Sequence, residues 1–416
     1  MTLPQRVLRS AAGRLRGLQS SPWLHPGALA EWWRERVRGH AVAADHAPHL
    51  DAALDWLGRA QDATPDDGVA RGYALVWHPY FRGRGWQPSY PETTGYIIPT
   101  LFEAARARQR PDLARRAERA ARWELAIQLP DGAVRGGVMG EPESPAVFNT
   151  GQVMFGWLAA LCETGDLQFA EATRRAADWL VAHQSADGHW RNSSRFASHG
   201  LSLYNARTAW ALAEAGTRLD ERAFLQAAAR QLRAAADLQH DNGWLPECCL
   251  SDQQRPLLHT LAYAVRGLLE GGRLLGDATL VAAAGRAASA LARTVRADGW
   301  MAGRYAADWS AAVSWSCLTG QAQMVNNWIR LFDLTADRAW LDPVPAVLRF
   351  LKRTQSRTSA DPGLRGGIKG SYPLTGGYNG WQVLNWATKY FADALLRHTR
   401  VIGPTPQPTS DTHVLA

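Results

Sequence analysis

The stretch that decides the fold is FNTGQVMFGWLAALCETGDLQFAEATRRAADWLVAHQSADG, residues 148–188. Asn149 and Thr150 are residue types that cap helices, and the run 152–162 that follows is almost wholly apolar, as in a helix buried on all sides. Gly165 and Asp166 end this helix and begin a second one, in which apolar residues recur at spacings of three and four opposite a charged face. The stretch therefore predicts a hairpin of one inner and one outer helix.

The turn-forming pair that closes this stretch recurs along the chain, which indicates an internal repeat. The recurring pairs are Asp67-Gly68, Asp131-Gly132, Asp187-Gly188, Asn242-Gly243, Asp298-Gly299 and a degenerate Pro362-Gly363. A glutamine precedes five of the six pairs, at Gln61, Gln128, Gln184, Gln239 and Gln355. Asp-Gly and Asn-Gly favour turns because glycine tolerates positive φ and Asx side chains bond the nearby backbone.

Each repeat carries the same two-helix pattern. The first helices of the six units are predicted to begin near Thr94, Thr150, Asn205, Thr260, Thr319 and Asn379. Their partner helices are predicted to span 111–128, 167–184, 221–239, 277–296 and 338–355. A helix at 48–61 completes the last pair. Six inner and six outer helices can close into a ring. An open solenoid is the alternative, but its exposed ends would need polar caps that the sequence lacks. We therefore predict an all-α (α/α)6 toroid over residues 48–400.

The connections of the predicted ring differ in length between its two ends. Turns from inner to outer helices are a few residues long, whereas those from outer to inner helices run to about 20 residues, at 129–148, 185–203, 240–258, 297–316 and 356–377. Long connections are uncommon unless they are functional. Because they share one end with the N-termini of the inner helices, which favour anionic groups, we place the active site there.

Composition excludes several classes of protein. The 416 residues are 46% hydrophobic and 20% charged, which is an ordinary balance for a folded chain and excludes a mostly disordered one. No window of 18 residues is uninterruptedly apolar, so we predict no integral membrane segment. The formal net charge of +8 suggests nucleic acid, but only three of the 46 basic residues are lysines and most arginines lie beside acidic residues on helices. We interpret them as solvated helix faces and expect no nucleic-acid partner.

The cysteines and the chain ends give further expectations. Four scattered cysteines fit neither a disulfide framework nor a metal site, so we expect a reduced, cytoplasmic setting and no cofactor.

Residues 1–47 form a basic extension with Arg6, Arg9, Arg14, Arg16 and the pair Trp32-Trp33. This extension contains no long apolar stretch that would make it a secretory signal. This extension suggests a lid or an element for peripheral association, and residues 401–416 a flexible tail. The oligomeric state stays open.

Gln184-Ser-Ala-Asp-Gly188-His-Trp190 resembles the Gln…Gly-x-Trp repeat of squalene–hopene cyclases, and the Gln-Asp-Gly rhythm is similar to that of carbohydrate-active toroids. These include N-acylglucosamine 2-epimerases, unsaturated glucuronyl hydrolases and several polysaccharide lyases. The resemblance covers roughly residues 48–398 and implies the toroid fold. It says little about chemistry, because function lies in the site. The Asp-x-Asp-Asp acid of the cyclases is absent from this sequence.

Polar residues crowd the predicted starts of the inner helices, where chemistry is expected. Glu92, between Pro91 and an apolar helix, is a candidate general acid or base with a raised pKa, although a helix-dipole role is the simpler interpretation. Proton abstraction next to a carboxylate would need a base, an acid and groups that hold the carboxylate. The candidate catalytic residues are Glu92, Tyr204, Arg207, His259 and Tyr263. Tyrosine or histidine would be the base or acid, and Arg207 would hold an anion, either the substrate or Glu92 itself.

Candidate substrate-binding residues lie in or beside the long connections. They are Trp86, Tyr90, Asn149, Asn205, Trp244, Glu247, Trp300, Asp308, Gln321, Tyr378, Asn379 and Trp381. Exposed tryptophans would stack on sugar faces, and core packing is the alternative for them. Glu247 or Asp308 could pair with Glu92 across a sugar ring, which would mean glycoside hydrolysis, with Glu141 and Glu143 less favoured as partners.

We therefore predict a carbohydrate-active enzyme that acts on a polysaccharide, in particular an acidic one, as a lyase, a uronate epimerase or a glycoside hydrolase, with a role in surface polysaccharide biosynthesis or modification. An isoprenoid-handling enzyme and a non-catalytic glycan-binding or scaffold protein are the alternatives.

Overall fold

The computed structural model describes residues 21–191, 193–197 and 199–403. The arginines at positions 6, 9, 14 and 16 and the end of the predicted tail, from residue 404 onward, lie outside the described residues. None of the helices in these ranges is long and apolar enough to cross a membrane.

The described chain is mostly helical, with short strands in three of its long connections. In chain order the helices are α1 (Pro26–Val37), α2 (Ala47–Asp62), α3 (Pro91–Arg108), α4 (Pro111–Ala126), α5 (Val147–Thr164), α6 (Leu167–Ala182), α7 (Ala206–Arg218), α8 (Arg222–Asp237), α9 (Leu258–Leu275), α10 (Ala278–Ala292), α11 (Leu318–Thr335), α12 (Val344–Thr354) and α13 (Asn385–Ile402). The strands are β1 (Gly72–His78), β2 (Gly83–Trp86), β3 (Ser316–Cys317), β4 (Ile368–Lys369), β5 (Ser371–Tyr372) and β6 (Gln382–Leu384).

The odd-numbered helices from α3 to α13 form an inner ring. Each contacts the next, and α13 returns to contact α3, so the ring is closed. Inner helices are buried on most sides: α5 is buried without a break from Val147 to Leu158. Outer helices bury one stripe, as α8 does with Phe224, Ala227 and Ala228. Helix α2 packs on α13 as the sixth outer helix. The predicted (α/α)6 toroid is therefore confirmed.

The sixth inner helix begins at Asn385, six residues after the predicted start at Asn379. Asn379 and Trp381 have φ values of +48° and +61°, which are left-handed and incompatible with an α-helix. The intervening residues instead turn and enter strand β6.

A four-stranded antiparallel sheet, absent from the all-α prediction, joins the first long connection to the last. Its strand order is β2-β1-β6-β4, and Tyr73 lies opposite Trp86 on one side and Val383 on the other. Strands β3 and β5 form a second, two-stranded pairing. Strands β1 and β6 pair across roughly 310 residues, so local periodicity gives no signal for their pairing.

Helix α1 is anchored to this sheet by a buried ion cluster. Lys369 on β4 is fully buried, and its Nζ lies 2.6 Å from Glu31 Oε1 and 3.2 Å from Glu35 Oε1. Glu35 Oε2 also accepts a hydrogen bond from the backbone nitrogen of Leu374 at 2.6 Å. A buried lysine needs such partners to offset its lost hydration. The N-terminal extension thus contains a helix docked on the ring.

The repeated glutamines tie neighbouring outer helices together. Gln184 Nε2 donates to the carbonyl of Gly188 in its own connection and to that of Ala227 on α8, both at 2.9 Å. The same two bonds, to the connection and to the next outer helix, are made by Gln61, Gln128, Gln239 and Gln355. Gln355 bonds Gly366, with φ +91°, so the sixth turn lies there and not at Pro362-Gly363.

We expect Gln184→Ala to lower the free energy of unfolding by about 1–3 kcal/mol, because it removes two hydrogen bonds and leaves the Gly188 carbonyl without its side-chain donor. The change is measured as a shift of the urea midpoint followed by circular dichroism. Gln168→Ala, at the exposed second residue of α6, is the matched control and should leave the midpoint unchanged. Equal midpoints for the two variants would contradict the bridging role.

Candidate active site

A cavity of about 580 Å³ opens at the end of the ring where the inner helices begin. Of the predicted site residues, those that line it are Tyr90, Glu92, Asn149, Tyr204, His259, Tyr263, Tyr378 and Asn379. They come from the first turns of α3, α5 and α9 and from the connections before α7 and α13. The fold therefore gathers residues nearly 290 positions apart around one space, at the predicted end.

Threonines in the first turns of inner helices hold the long connections in place. Thr150 Oγ1 donates to the carbonyl of Ala146 at 2.8 Å and accepts from the backbone nitrogen of Val134 at 3.0 Å. Thr94 and Thr388 make the equivalent pair of bonds. All three threonines therefore anchor the connections to the helices, and Thr94 and Thr150 are not the helix caps that their sequence positions suggested.

Glu92 is the second residue of α3 and faces the cavity. Burial raises its pKa to about 7, and the Tyr90 hydroxyl, which donates to Glu92 Oε2, and the charges of Arg71 and Arg207 partly offset this rise. A carboxyl group that titrates near neutral pH can both give and take a proton under working conditions. Glu92 therefore has the properties of a general acid or base.

His259 offers a second proton-transfer group. Burial lowers its pKa to about 4, so its ring is neutral at neutral pH. Nδ1 lies 2.9 Å from Gln323 Oε1, and this bond assigns the proton to Nδ1 and the lone pair to Nε2. The rings of Tyr263 and Tyr378 lie 4.5 and 5.5 Å from the imidazole. This arrangement suits His259 to accept a proton.

The tyrosines of the cavity are suited to donating hydrogen bonds. Burial raises the pKa values of Tyr90, Tyr204, Tyr263 and Tyr378 above the usual value, so their hydroxyls stay protonated at neutral pH. The sequence analysis named tyrosine or histidine as the base. The raised tyrosine pKa values favour histidine or glutamate in that role.

Arg71, which the sequence analysis did not single out, is a half-buried cation on the cavity wall. Its guanidinium donates to the side-chain oxygens of Gln87 at 2.8 Å, Asn379 at 2.8 Å and Gln382 at 3.1 Å, and forms no ion pair with any described carboxylate. It lies 4.9 Å from the ring of Trp386. In the sequence, Arg71 is the one charged residue of the apolar run 69–81, and this position could have identified it as a candidate.

The rim of the cavity carries its second carboxylate. Glu141 Oε2 lies 2.5 Å from Arg195, and Oε1 accepts a hydrogen bond from the Tyr80 hydroxyl. Glu92 and Glu141 are the carboxylates among the described residues that line the cavity. Sequence reasoning had favoured Glu247 and Asp308 over Glu141 as partners of Glu92. The cavity also has an aromatic wall that the sequence analysis did not predict, formed by Phe81, Phe148, Phe196 and Trp386.

Arg207 lies beneath the cavity and does not line it. Its Nε donates to Gln152 Oε1 at 2.6 Å, and its guanidinium lies 5.0 to 5.2 Å from the rings of Trp210, Tyr263 and Phe155. Its side chain is therefore separated from a ligand in the cavity by the tyrosine floor. It acts on the site through its charge, which lowers the pKa values of Glu92 and His259.

The structure places the other predicted residues away from the cavity, namely Trp86, Asn205, Trp244, Glu247, Trp300, Asp308, Gln321 and Trp381. The tryptophans pack within the connections: Trp86 against Trp56, and Trp244, only 3% exposed, against Trp309. Asp308 is exposed and accepts from the backbone of Ser310 within its own turn. Packing thus accounts for Trp86 and Trp244, and turn formation for Asp308.

Comparisons with solved structures agree on the architecture. An unsaturated glucuronyl hydrolase specific for heparin superposes with a TM-score of 0.66 at 16% identity, covering 85% of this chain and 96% of that one. An unsaturated glucuronyl hydrolase from a Bacillus species, responsible for glycosaminoglycan degradation, gives 0.66 at 15%, covering 86% and 97%. Cellobiose 2-epimerase from Bacillus thermoamylovorans gives 0.67 at 10%, covering 89% and 98%.

At these identities the likeness establishes the toroid fold and no more. No protein-family profile matches the sequence, and no curated protein matches it.

We expect the Glu92 carboxyl to titrate near pH 7. Infrared difference spectra between low and high pH should contain a protonated-carboxyl band with this midpoint in the wild type and lack it in Glu92→Gln. Glu171→Gln, at an exposed position on α6, should retain the band. A midpoint close to the ordinary glutamate value of about 4.3 would show that Glu92 is well hydrated.

Proposed function

We propose that this protein is a carbohydrate-active enzyme that acts on an acidic sugar and that Glu92 transfers a proton in the reaction. The observation that carries the proposal is the pairing of a near-neutral carboxyl group with a cation, Arg71, that has no carboxylate partner among the described residues. Both face the same aromatic-walled cavity. Strongly perturbed groups in a cleft are functional-site candidates.

The substrate class follows from Arg71 and its surroundings. All three of its hydrogen-bond acceptors are neutral amides, and no carboxylate of the described residues forms an ion pair with it. A guanidinium binds a carboxylate through two parallel hydrogen bonds, which a uronic acid can accept. The rings of Phe81 and Trp386 lie 5.3 and 4.9 Å from this guanidinium and offer flat apolar surface to a sugar.

The cavity favours the end of a chain over its middle. Its volume of about 580 Å³ lies within the usual range of small-ligand sites, about 300–1,000 Å³. Tyr96 and Tyr263 close it below, with their hydroxyls 3.4 Å apart. A terminal acidic sugar and its neighbour can enter such a space from the mouth, whereas a continuous polysaccharide cannot pass through.

Two reaction classes fit the proton-transfer groups. Protonated Glu92 can supply a proton to a departing glycosidic oxygen, which favours hydrolysis, and the similar solved structures include hydrolases. Neutral His259 can instead remove the proton next to the substrate carboxylate while Arg71 stabilises the charge that develops, which is the chemistry of an epimerase or a lyase. We favour hydrolysis because Glu92 titrates at working pH.

A test panel separates these classes. The purified protein is incubated in D2O with unsaturated uronyl disaccharides, saturated uronic-acid oligosaccharides and neutral counterparts. Loss of the ultraviolet absorbance of the unsaturated sugar with release of a reducing end supports hydrolysis. New absorbance from saturated substrates indicates a lyase, and deuterium next to the carboxylate without cleavage indicates an epimerase. No turnover of any acidic sugar would overturn the proposal.

The panel also addresses the alternatives. An isoprenoid-handling enzyme would need an aromatic cavity with few hydrogen-bonding groups, whereas this one presents Arg71, Glu92, His259 and several hydroxyls. A non-catalytic glycan-binding protein would bind the acidic sugars without converting them.

We expect Glu92→Gln to lower kcat by about 10²–10⁴-fold, since the amide cannot exchange the proton. Its melting temperature should stay close to that of the wild type. Glu171→Gln serves as the control with unchanged kcat. If Glu92 acts as the acid, wild-type activity falls above about pH 7, where the carboxyl loses its proton. Full activity of Glu92→Gln would exclude the assigned role.

We expect Arg71→Gln to raise KM for acidic substrates about ten- to hundredfold and to leave neutral analogues unaffected. It should also move the Glu92 midpoint to higher pH, because the Arg71 charge lowers that pKa. Arg84→Gln, an exposed residue on β2, is the control. An equal loss for acidic and neutral sugars would indicate that Arg71 only supports the fold.

A further inference from the structure

A second opening lies at the other end of the ring, where the inner helices finish. It is a basin of about 500 Å³ lined by residues of all six inner helices, α3, α5, α7, α9, α11 and α13. It shares Arg207, Trp210, Arg266 and Arg397 with a small inner cavity of about 50 Å³. The basin thus leads inward to a confined polar space beneath the floor of the candidate active site.

The inner cavity holds more positive than negative charge. Its charged residues are Arg207, Arg266, Lys389, Arg397 and Asp393. Lys389 pairs with Asp393 at 2.6 Å, and Arg266 pairs with Glu270 at 2.8 Å. Arg207 and Arg397 form no ion pair with any described carboxylate. Buried cations without counter-ions are costly, so the folded chain favours an added anion here.

Unpartnered donors point to where the anion would bind. Arg266 is 8% exposed, and its buried Nε has no hydrogen-bond partner. The Nε of Arg397 is likewise buried and unpartnered. Together with burial, the neighbouring like charges Arg207 and Arg397 lower the pKa of Lys389 to about 8. The groups are therefore close enough to repel one another.

We propose that this inner cavity is a binding site for a small oxyanion, held by Arg207, Arg266 and Arg397. The arginine guanidinium has a planar fork of donors that matches the oxygens of phosphate, sulfate or carboxylate. The space of about 50 Å³ is several times the roughly 10–15 Å³ that one water molecule needs, so the cavity has room for more than a single water. A larger ligand would extend into the outer basin, whose lining holds nine basic and five acidic side chains.

The site would communicate with the mouth through Arg207. Its guanidinium lies 5.9 and 5.1 Å from the rings of Tyr96 and Tyr263, which form the floor of the upper cavity. Its charge lowers the pKa of Glu92 and of His259. An anion paired with Arg207 offsets that charge, so binding from below moves both midpoints to higher pH without touching the substrate.

The test is isothermal titration calorimetry of the whole protein with sodium phosphate and sodium sulfate at constant ionic strength. The wild type should bind with saturation and a stoichiometry of one. Arg397→Gln should weaken binding at least about tenfold, because it removes one charged donor. Arg400→Gln, an exposed basal arginine whose nearest carboxylates are 3.8 and 3.9 Å away, is the control and should bind normally.

The infrared titration of Glu92 gives a second readout that needs no substrate. Phosphate should raise the Glu92 midpoint in the wild type and in Arg400→Gln, and leave it unchanged in Arg397→Gln. Absence of saturable binding in the wild type, or equal binding by Arg397→Gln, would overturn the proposal. A rise in melting temperature of the same size in all three proteins would mark a general salt effect and also count against it.

Discussion

Where an outer helix of the ring ends, its connection passes close to the next outer helix, and the two are held together by hydrogen bonds. At five of the six interfaces a glutamine amide supplies two hydrogen bonds at once, one to its own connection and one to the neighbouring helix. Between α10 and α12 the corresponding residue is Val295. Because buried carbonyls without donors are costly, this bond sets the spacing of the units and fixes where each connection leaves for the mouth.

The ring axis poses a different constraint, since polar and charged groups meet there inside a helical core. Tyr96, Tyr263 and Tyr390 form a layer across the axis, with Tyr390 5.5 and 6.0 Å from the other two rings. Beneath it Arg207 is 5% exposed and surrounded by aromatic rings, whose faces partly offset its lost hydration. One buried cation thus influences a proton-transfer site above it and a cluster of like charges below it.

The parts of the structure that depend on local sequence could be predicted. Alternating apolar and amphipathic helices, and turn residues at regular intervals, determined the ring and the end that holds the cavity, and Glu92 was recognised from its place before an apolar helix. The parts that depend on distant pairing could not be predicted. Arg71 has its role because β1 pairs with β6, and Trp244 is buried because Trp309, in the next connection, covers it. Neither the strand pairing nor the tryptophan contact produces a periodic pattern in the sequence.

The candidate site lies at the seam where the two ends of the ring meet, and this location has a physical consequence. Arg71 reaches the side chains of Asn379 and Gln382, more than 300 residues later, and the sheet of β1 and β6 holds them in register. Glu92 begins the first inner helix, and Trp386 begins the last. A ring that has not closed therefore lacks both the bond from Gln355 to His49 and the cation beside Glu92, because both are positioned by closure itself.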